Sequence, residues 1–471
     1  MAVFLTLLHI VLLCLVSLRI LARPQLDAHA RTAWILVLLM LPVFGVVLYL
    51  LVGEIHFAGP DRERTDAAVA ATGPAVRASG AAPDLPLWGP ASGFATSING
   101  FGVTTGNRAE LLDSPDGARR RMVEDMDGAT QTINVLYYIW LDDRTGCDIA
   151  AALIRAAGRG ARGGAAVGAL GSGVFVAAGR WKRLAEAGVE TAVALPIGNP
   201  LKTMLYRRLD LRNHRKITVI DGEICHCGSQ NCADAAFLPK AKFAPWVDVM
   251  VRFEGPVAHQ MNLLFAQSWL AERREDLSDL VRAVPPFDDG FPAQVVGTGP
   301  HIHRNVTAQL FSRIIVAARR ELIVTTPYFV PGEVVCAAIL GAALAGAKVT
   351  LILPRRNDSR FVAHASRSYY PQLVDAGVTI AEYNGGLLHS KIVTVDGETS
   401  FIGSSNMDIR SFDLNFENDI LLCDARLTAD IRARQMEYLA KSTLVDPRDV
   451  RAWPTGRRIW YNAFATMGPL L

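Results

Sequence analysis

One short pattern is written twice in this chain, and no other feature restricts its fold as tightly. His214, Lys216 and Asp221 recur at identical spacing as His389, Lys391 and Asp396. Each copy is followed, again at matching spacing, by Gly-Ser-x-Asn: Gly228, Ser229 and Asn231, then Gly403, Ser404 and Asn406. Both copies lead into runs rich in β-branched residues, Ile217 to Ile220 and Ile392 to Val395, so each predicts a strand. On a strand, residues two apart share a face, which sets each histidine beside its lysine. Asp221-Gly222 and Asp396-Gly397 then read as tight hairpin turns. The two aspartates are therefore candidates both for turn formation and for chemistry.

The arrangement resembles the twin histidine–lysine–aspartate motif of the phospholipase D superfamily. The resemblance implies one phosphodiester site shared between two half-domains. A phosphodiester presents negative oxygens, and fixed cations such as Lys216 and Lys391 stabilise the charge that develops on displacement. Ser229, Asn231, Ser404 and Asn406 add hydrogen-bonding groups. One imidazole can attack phosphorus and form a covalent phosphohistidine. The other, as imidazolium, protonates the departing alkoxide and later deprotonates the incoming alcohol. Two histidines and two lysines supply these functions without a metal or cofactor.

Each copy also carries a later carboxylate in an apolar run: Asp248 between Trp246 and Val251, and Glu417 between Asn415 and Leu422. A buried carboxylate is costly unless paired. A catalytic histidine needs such a group to fix its tautomer and ring orientation. Asp248 and Glu417 are accordingly the expected orienting partners.

The repeat extends beyond the motif. Ile133 to Trp140 answers to Leu322 to Val330, both as strands, and helical stretches follow at Ile149 to Ala157 and Val335 to Ala345. A further helix from Val257 to Leu270 puts Val257, Met261, Leu264, Phe265 and Trp269 on one face. This alternation predicts an α/β fold of two similar lobes, with mixed β-sheets flanked by helices. The expected lobes are residues 97–285 and 286–471, together more than one core normally supports.

Ahead of them, Ala2 to Leu18 is largely apolar, and Ala33 to Val52 is a 20-residue run without charge. The second run is long enough to span a bilayer and has Trp34 and Tyr49 near its ends. The first lacks the basic residues that open a cleaved signal. Residues 1–56 are thus expected to hold two transmembrane helices, about 2–18 and 33–52. A linker rich in Ala, Gly and Pro is expected over 57–96.

A net charge of +3 gives no global basic field for nucleic acid. Lys202, Arg207, Arg208, Arg212 and Arg215 crowd the approach to the first motif and suit anionic headgroups. Cys225, Cys227 and Cys232 surround His226, but alternate strand positions and no assured fourth ligand argue against zinc. They read instead as small buried hydrophobes.

With the twin motif in place, the chain is similar to the bacterial cardiolipin synthases of the phospholipase D type. Trp34 to Gly53, Tyr137 to Asp143, Thr326 to Pro331, Asn406 to Glu417 and Pro469 to Leu471 carry the likeness, which spans nearly the whole chain. It implies phosphatidyl transfer between two phosphatidylglycerol molecules, giving cardiolipin and glycerol. The partners it implies are those lipids, at the inner membrane, with the lobes on the cytoplasmic side. By motif position it implies His214, Lys216, Asp221, His389, Lys391 and Asp396 as the catalytic set, with His214 as nucleophile and His389 as acid and base. A hydrolytic phospholipase D would use the same site with water as acceptor, and phosphatidylethanolamine is an alternative donor. One departure stands out: Gly164 and Gly168 occupy positions where relatives carry Arg and Asp. Glycine inside a strand costs roughly 0.5–1 kcal/mol relative to alanine. The expectation is a less stable first lobe, or an altered neighbourhood of the phosphate.

Overall fold

The computed structural model describes residues 2–23, 26, 28–54, 57–78, 89–204, 207–273, 275 and 283–466. Residues 79–88 of the expected linker and the closing Pro469 to Leu471 lie outside them.

The first lobe supplies β1 (Thr104–Leu111), β2 (Thr132–Tyr137), β3 (Arg162–Gly168), β4 (Glu190–Ala194), β5 (Lys216–Ile220), β6 (Ile224–Gly228) and β7 (Met250–Glu254). The second supplies β8 (Phe291–Thr298), β9 (Glu321–Thr325), β10 (Lys348–Pro354), β11 (Thr379–Tyr383), β12 (Ile392–Val395), β13 (Thr399–Gly403), β14 (Asn415–Cys423) and β15 (Ser442–Leu444). They form one continuous sheet in the order β15-β11-β10-β9-β12-β13-β14-β8-β1-β7-β6-β5-β2-β3-β4. Apart from β15, the order reads the same from either side of the β1–β8 junction, so the lobes are related by a pseudo-dyad there. Within the lobes β2-β3-β4 and β9-β10-β11 are parallel, the motif strands are antiparallel to their neighbours, and β15 adds an antiparallel edge to the second. The motif strands β5 and β12 are buried along their whole length, which explains their unbroken apolar character.

At the N-terminus, α1 (Ala2–Ala22) folds back on α2 (Ala28–Met40), α3 (Pro42–Leu48) and a π-helical turn at Tyr49–Gly53. The expected second span is therefore not one helix. Leu41 leaves helical geometry (φ −131°, ψ 67°), because Pro42 has no N–H to continue the ladder. Among the described residues no helix is long and apolar enough to cross a membrane. Ile20, Trp34, Leu38 and Tyr49 pack inside this hairpin, while Leu7, Leu15, Leu18, Leu39, Val43 and Phe44 are exposed.

The expected linker is another correction. It carries α4 (Gly59–Ala78) and α5 (Gly89–Asn99). Alanine is the best helix former, and Ala68, Thr72 and Val76 form a buried stripe at four-residue spacing. The stripe lies against α6 (Pro256–Arg273), where Gln267 Nε2 donates to Thr72 Oγ1 at 3.0 Å and Arg64 Nε to Ala271 O at 2.9 Å.

Candidate active site

Each motif crosses the pseudo-dyad before it enters its own lobe. Arg212–Asn213 pairs with β14 of the second lobe, and the His214 N–H donates to Phe416 O at 2.9 Å. Leu387–Leu388 pairs with Trp246–Val247 of the first lobe, and the His389 N–H donates to Val247 O at 2.9 Å. This crossing dictates which carboxylate meets which histidine. His214 Nδ1 lies 2.9 Å from Glu417 Oε2, and His389 Nδ1 lies 2.6 Å from Asp248 Oδ1. Every histidine is thus oriented by the other lobe's carboxylate, which the spacing within one copy could not reveal.

Ser229 and Ser404 act one step back from any substrate. Ser229 Oγ donates to Asp248 Oδ1 and Ser404 Oγ to Glu417 Oε2, both at 2.5 Å. Asn415 Nδ2 adds a bond to Glu417 Oε1 at 3.0 Å. Asn231 and Asn406 are different: each has a buried Oδ1 with no hydrogen-bond partner among the described residues. Such groups are the ones a bound ligand satisfies.

Lys216 and Lys391 are fully buried beside their histidines. Lys216 Nζ lies 3.2 Å from His214 Nε2 and donates to His214 O at 2.8 Å, and Lys391 Nζ donates to His389 O at 2.7 Å. Burial pushes Lys216 down to about 8, with Glu417 and Asp248 restoring only part. Burial and Lys216 push Lys391 down to about 7, with Asp248 opposing. Burial and the lysine charges also lower both histidines, His389 to about 4. The carboxylates diverge. Burial alone would raise Asp248, but His389, Lys391 and Ser229 outweigh it and hold it at about 2. Burial raises Glu417, and Lys216, Ser404 and Asn415 offset that only in part.

Asp221 and Asp396 do not reach this centre. Seven residues separate each from its histidine, roughly 20 Å along a strand. Both adopt left-handed φ (52° and 55°) at the hairpin turns. Asp221 accepts N–H bonds from Thr130, Gln131 and Thr132, and Asp396 from Arg319, Arg320 and Glu321. They fasten the strand ends and are not in contact with the reacting groups.

The basic stretch before the first motif is also largely committed to the protein. Arg208 pairs with Asp210 and donates to Val52 O at 3.0 Å, while Arg207 pairs with Asp61 at 2.6 Å. These contacts dock the approach to His214 directly on the N-terminal hairpin and α4. Arg215 points away from the histidines, as its place between His214 and Lys216 on a strand requires. Sequence reasoning missed the ring contacts: Tyr138 stands 5.2 Å from the His214 ring and Trp246 4.5 Å from His389. It also missed Asp419, buried and bonded to Ser405, whose pKa burial raises to about 7. Cys225 and Cys227 pack in one core cluster and Cys232 in another, so the thiols do not converge. Among the described residues no group of His, Cys, Asp and Glu could hold a metal ion.

Two pseudo-symmetric lobes that bring paired histidines to their dyad make a phospholipase D-like protein. The solved phosphatidylserine synthase of Haemophilus influenzae Rd KW20 shares the fold, with a TM-score of 0.55 at 14% identity, over 76% of this chain and 93% of that one. A family model described as cardiolipin synthase, PLD-like domain, matches residues 122–269 and 311–438. A second, described as phospholipase D-nuclease N-terminal, matches residues 8–54. Cardiolipin synthase A of Edwardsiella ictaluri is 34% identical over 471 residues, 98% of this chain and 96% of that protein. Cardiolipin synthase A of Salmonella arizonae is 34% identical over 479 residues, with the same coverage. The chain belongs to the cardiolipin synthase family of phospholipase D-like enzymes.

Proposed function

We propose that this enzyme transfers a phosphatidyl group from one phosphatidylglycerol to another, giving cardiolipin and glycerol. The observation that carries the reading is the pair of crossed histidine–carboxylate contacts beside two buried lysines. Holding each ring through Nδ1 turns its Nε2 to substrate, with Lys216 Nζ 3.2 Å from the Nε2 of His214. In the first step His214 Nε2 attacks phosphorus, the bond to the headgroup glycerol breaks, and His389 gives that alkoxide its proton. In the second, His389 takes the proton from a headgroup hydroxyl of another phosphatidylglycerol. That oxygen attacks phosphorus, the P–N bond breaks, and His214 is regenerated. The charge on Asp248 supports this division. Held ionised, Asp248 opposes the burial that depresses His389 and so favours an imidazolium there. Lys216 and Lys391 hold the phosphate oxygens, with the Nδ2 groups of Asn231 and Asn406 as further donors. The asparagine Oδ1 atoms, without a partner among the described residues, are left for a lipid hydroxyl, and Asp221 and Asp396 brace the motif strands.

The lobes divide near residue 285. The N-terminal hairpin is the membrane element, with α1 and the 33–52 segment as the two spans and the lobes on the cytoplasmic side. Its exposed leucines form an apolar surface that water does not favour. Its end is bonded to Arg208, just ahead of the first motif. This arrangement would keep the second lipid at high effective concentration and water scarce.

The test is thin-layer analysis of labelled phosphatidylglycerol vesicles with purified full-length enzyme, without metal or nucleotide. Cardiolipin and glycerol are the expected products. Phosphatidic acid as the main product would overturn transfer in favour of hydrolysis.

A further inference from the structure

Arg215, just ahead of β5, reaches a cavity of about 590 Å³ that none of the motif histidines and lysines lines. Arg215, Arg62, Arg304, His301 and His303 line it, and Asp413 is the one carboxylate among its described lining residues. That carboxylate is already taken by Arg304 Nε at 3.1 Å and the Asn305 N–H at 2.8 Å.

Arg215 is the feature that needs explaining. It is 4% exposed and makes three hydrogen bonds, all to neutral groups: Glu417 O at 3.2 Å, Ser268 Oγ at 2.6 Å and Thr298 O at 3.2 Å. A guanidinium carries five N–H groups, so two remain, and no carboxylate among the described residues bonds to it. A buried cation without a bonded counter-charge is costly to hold. Burial pushes Arg215 down to about 9, and the charge of Glu417 opposes this only in part. His301, stacked on Phe416 at 5.5 Å, has a buried Nδ1 with no hydrogen-bond partner among the described residues. Burial and the charges of Arg215 and Arg62 keep its ring neutral, with a pKa of about 3.

The second motif shows that the chemistry at the dyad does not demand this. The residue matching Arg215 is Ser390, whose Oγ donates to Val247 O at 2.9 Å and lies 3.1 Å from the Tyr438 hydroxyl. It carries no charge.

We propose that this cavity is a second anion site, separate from the two-histidine centre. It takes a phosphate-type oxyanion, from a lipid phosphodiester headgroup or from free phosphate, bound by Arg215, Arg62 and Arg304 with His301 as a neutral donor. α4, which contributes Arg62, follows directly on the N-terminal hairpin, so the site lies on the side of the protein to which that hairpin is joined.

Binding is read without turnover, so the outcome is independent of the transfer reaction proposed above. Full-length protein in detergent is dialysed against labelled inorganic phosphate, with Lys391→Met as the background that weakens phosphate at the catalytic centre. That background should still bind phosphate. Adding Arg215→Met should remove the binding, and adding Arg62→Gln should weaken it roughly 10–100-fold, the range for a lost charge-assisted hydrogen bond. Arg62 is on the surface of α4, so its variant remains informative if Arg215→Met fails to fold. Equal phosphate affinity with and without Arg62→Gln, or no binding in the Lys391→Met background, would overturn the proposal. Nanodiscs then separate the sources. Displacement of the label by phosphatidylglycerol but not by phosphatidylcholine identifies a lipid headgroup, and retention of the label identifies the free anion.

Discussion

The two lobes share a strand order and a motif, yet they differ in side chain and in charge at particular positions around it. The first lobe has Asp248 where the second has Glu417, Met250 where the second has Asp419, and Arg215 where the second has Ser390. What is duplicated is what the dyad requires: a histidine and lysine on one strand face, a serine beneath a carboxylate, and an aspartate at the turn. What differs is the electrostatic setting. A two-step transfer needs one nucleophile and one proton carrier, and different surroundings assign those roles before substrate binds. The comparison therefore teaches that duplication builds the site and divergence assigns it.

The most severe way to break the comparison is to remove either histidine. His214→Ala and His389→Ala should each abolish turnover, and the double variant should be little worse than either, because residues acting as a unit are not additive. Retention of roughly a tenth of wild-type rate by one variant, against abolition by the other, would mean that a single lobe suffices. Trapping a phosphatidyl adduct would assign the nucleophile, and an adduct on His389 would exchange the roles of the two histidines.

The orienting carboxylates sharpen the comparison. Asp248→Asn and Glu417→Gln keep the shape of each pair and remove its charge, a change that typically costs on the order of 10–100-fold. Asp248 should be the costlier, because its charge supports the imidazolium that carries the proton. Steady-state rates with unchanged thermal midpoints are the expected pattern. Equal losses at both positions would remove the electrostatic distinction between the lobes.

The lysines give a pH signature. Lys391 at about 7 and Lys216 at about 8 are charged below those values and neutral above them. kcat/KM should therefore fall as pH rises through 7 to 8, since the neutral amines no longer meet the phosphate charge. A bound phosphodiester favours the ammonium forms, so the corresponding limb in kcat should lie at higher pH. A pH–rate profile flat from 7 to 9 would show that the burial of these lysines does not govern their charge.

Much of this was legible from residue order alone. The repeated spacing announced two lobes, and the β-branched runs placed each histidine and lysine on a common strand face. The partners Asp248 and Glu417 were identifiable as carboxylates in apolar runs. Their crossing was not, because it depends on Arg212–Asn213 and Leu387–Leu388 pairing across the dyad, a tertiary fact without a local signature. The stretch read as a linker hid a helix because its buried stripe is Ala68, Thr72 and Val76, residues too small or polar to register as an apolar face. The break at Leu41 had a visible cause in Pro42, overridden by a count of uncharged residues.

The smallest effect concerns Gly168, at the end of β3, where the matching strand of the second lobe ends in Pro354. A Cβ at Gly168 would meet the Tyr138 ring at 2.9 Å and its carbonyl oxygen at 3.0 Å, so the strand must shift to admit it. Overpacking of this kind costs about 1–3 kcal/mol. Relief of the glycine's backbone entropy returns roughly 0.5–1 kcal/mol. Gly168→Ala should thus destabilise the enzyme by about 1 kcal/mol, read as a lower denaturation midpoint. Gly173→Ala is the control, since a Cβ there meets nothing within 4 Å. Tyr138 also stands against the His214 ring, so its displacement should slow turnover as well as weaken the fold. The glycine is then best understood as the space that lets Tyr138 back the first histidine. If Gly168→Ala matched the control in both stability and rate, that role would be lost and the glycine would be only a weak point in β3.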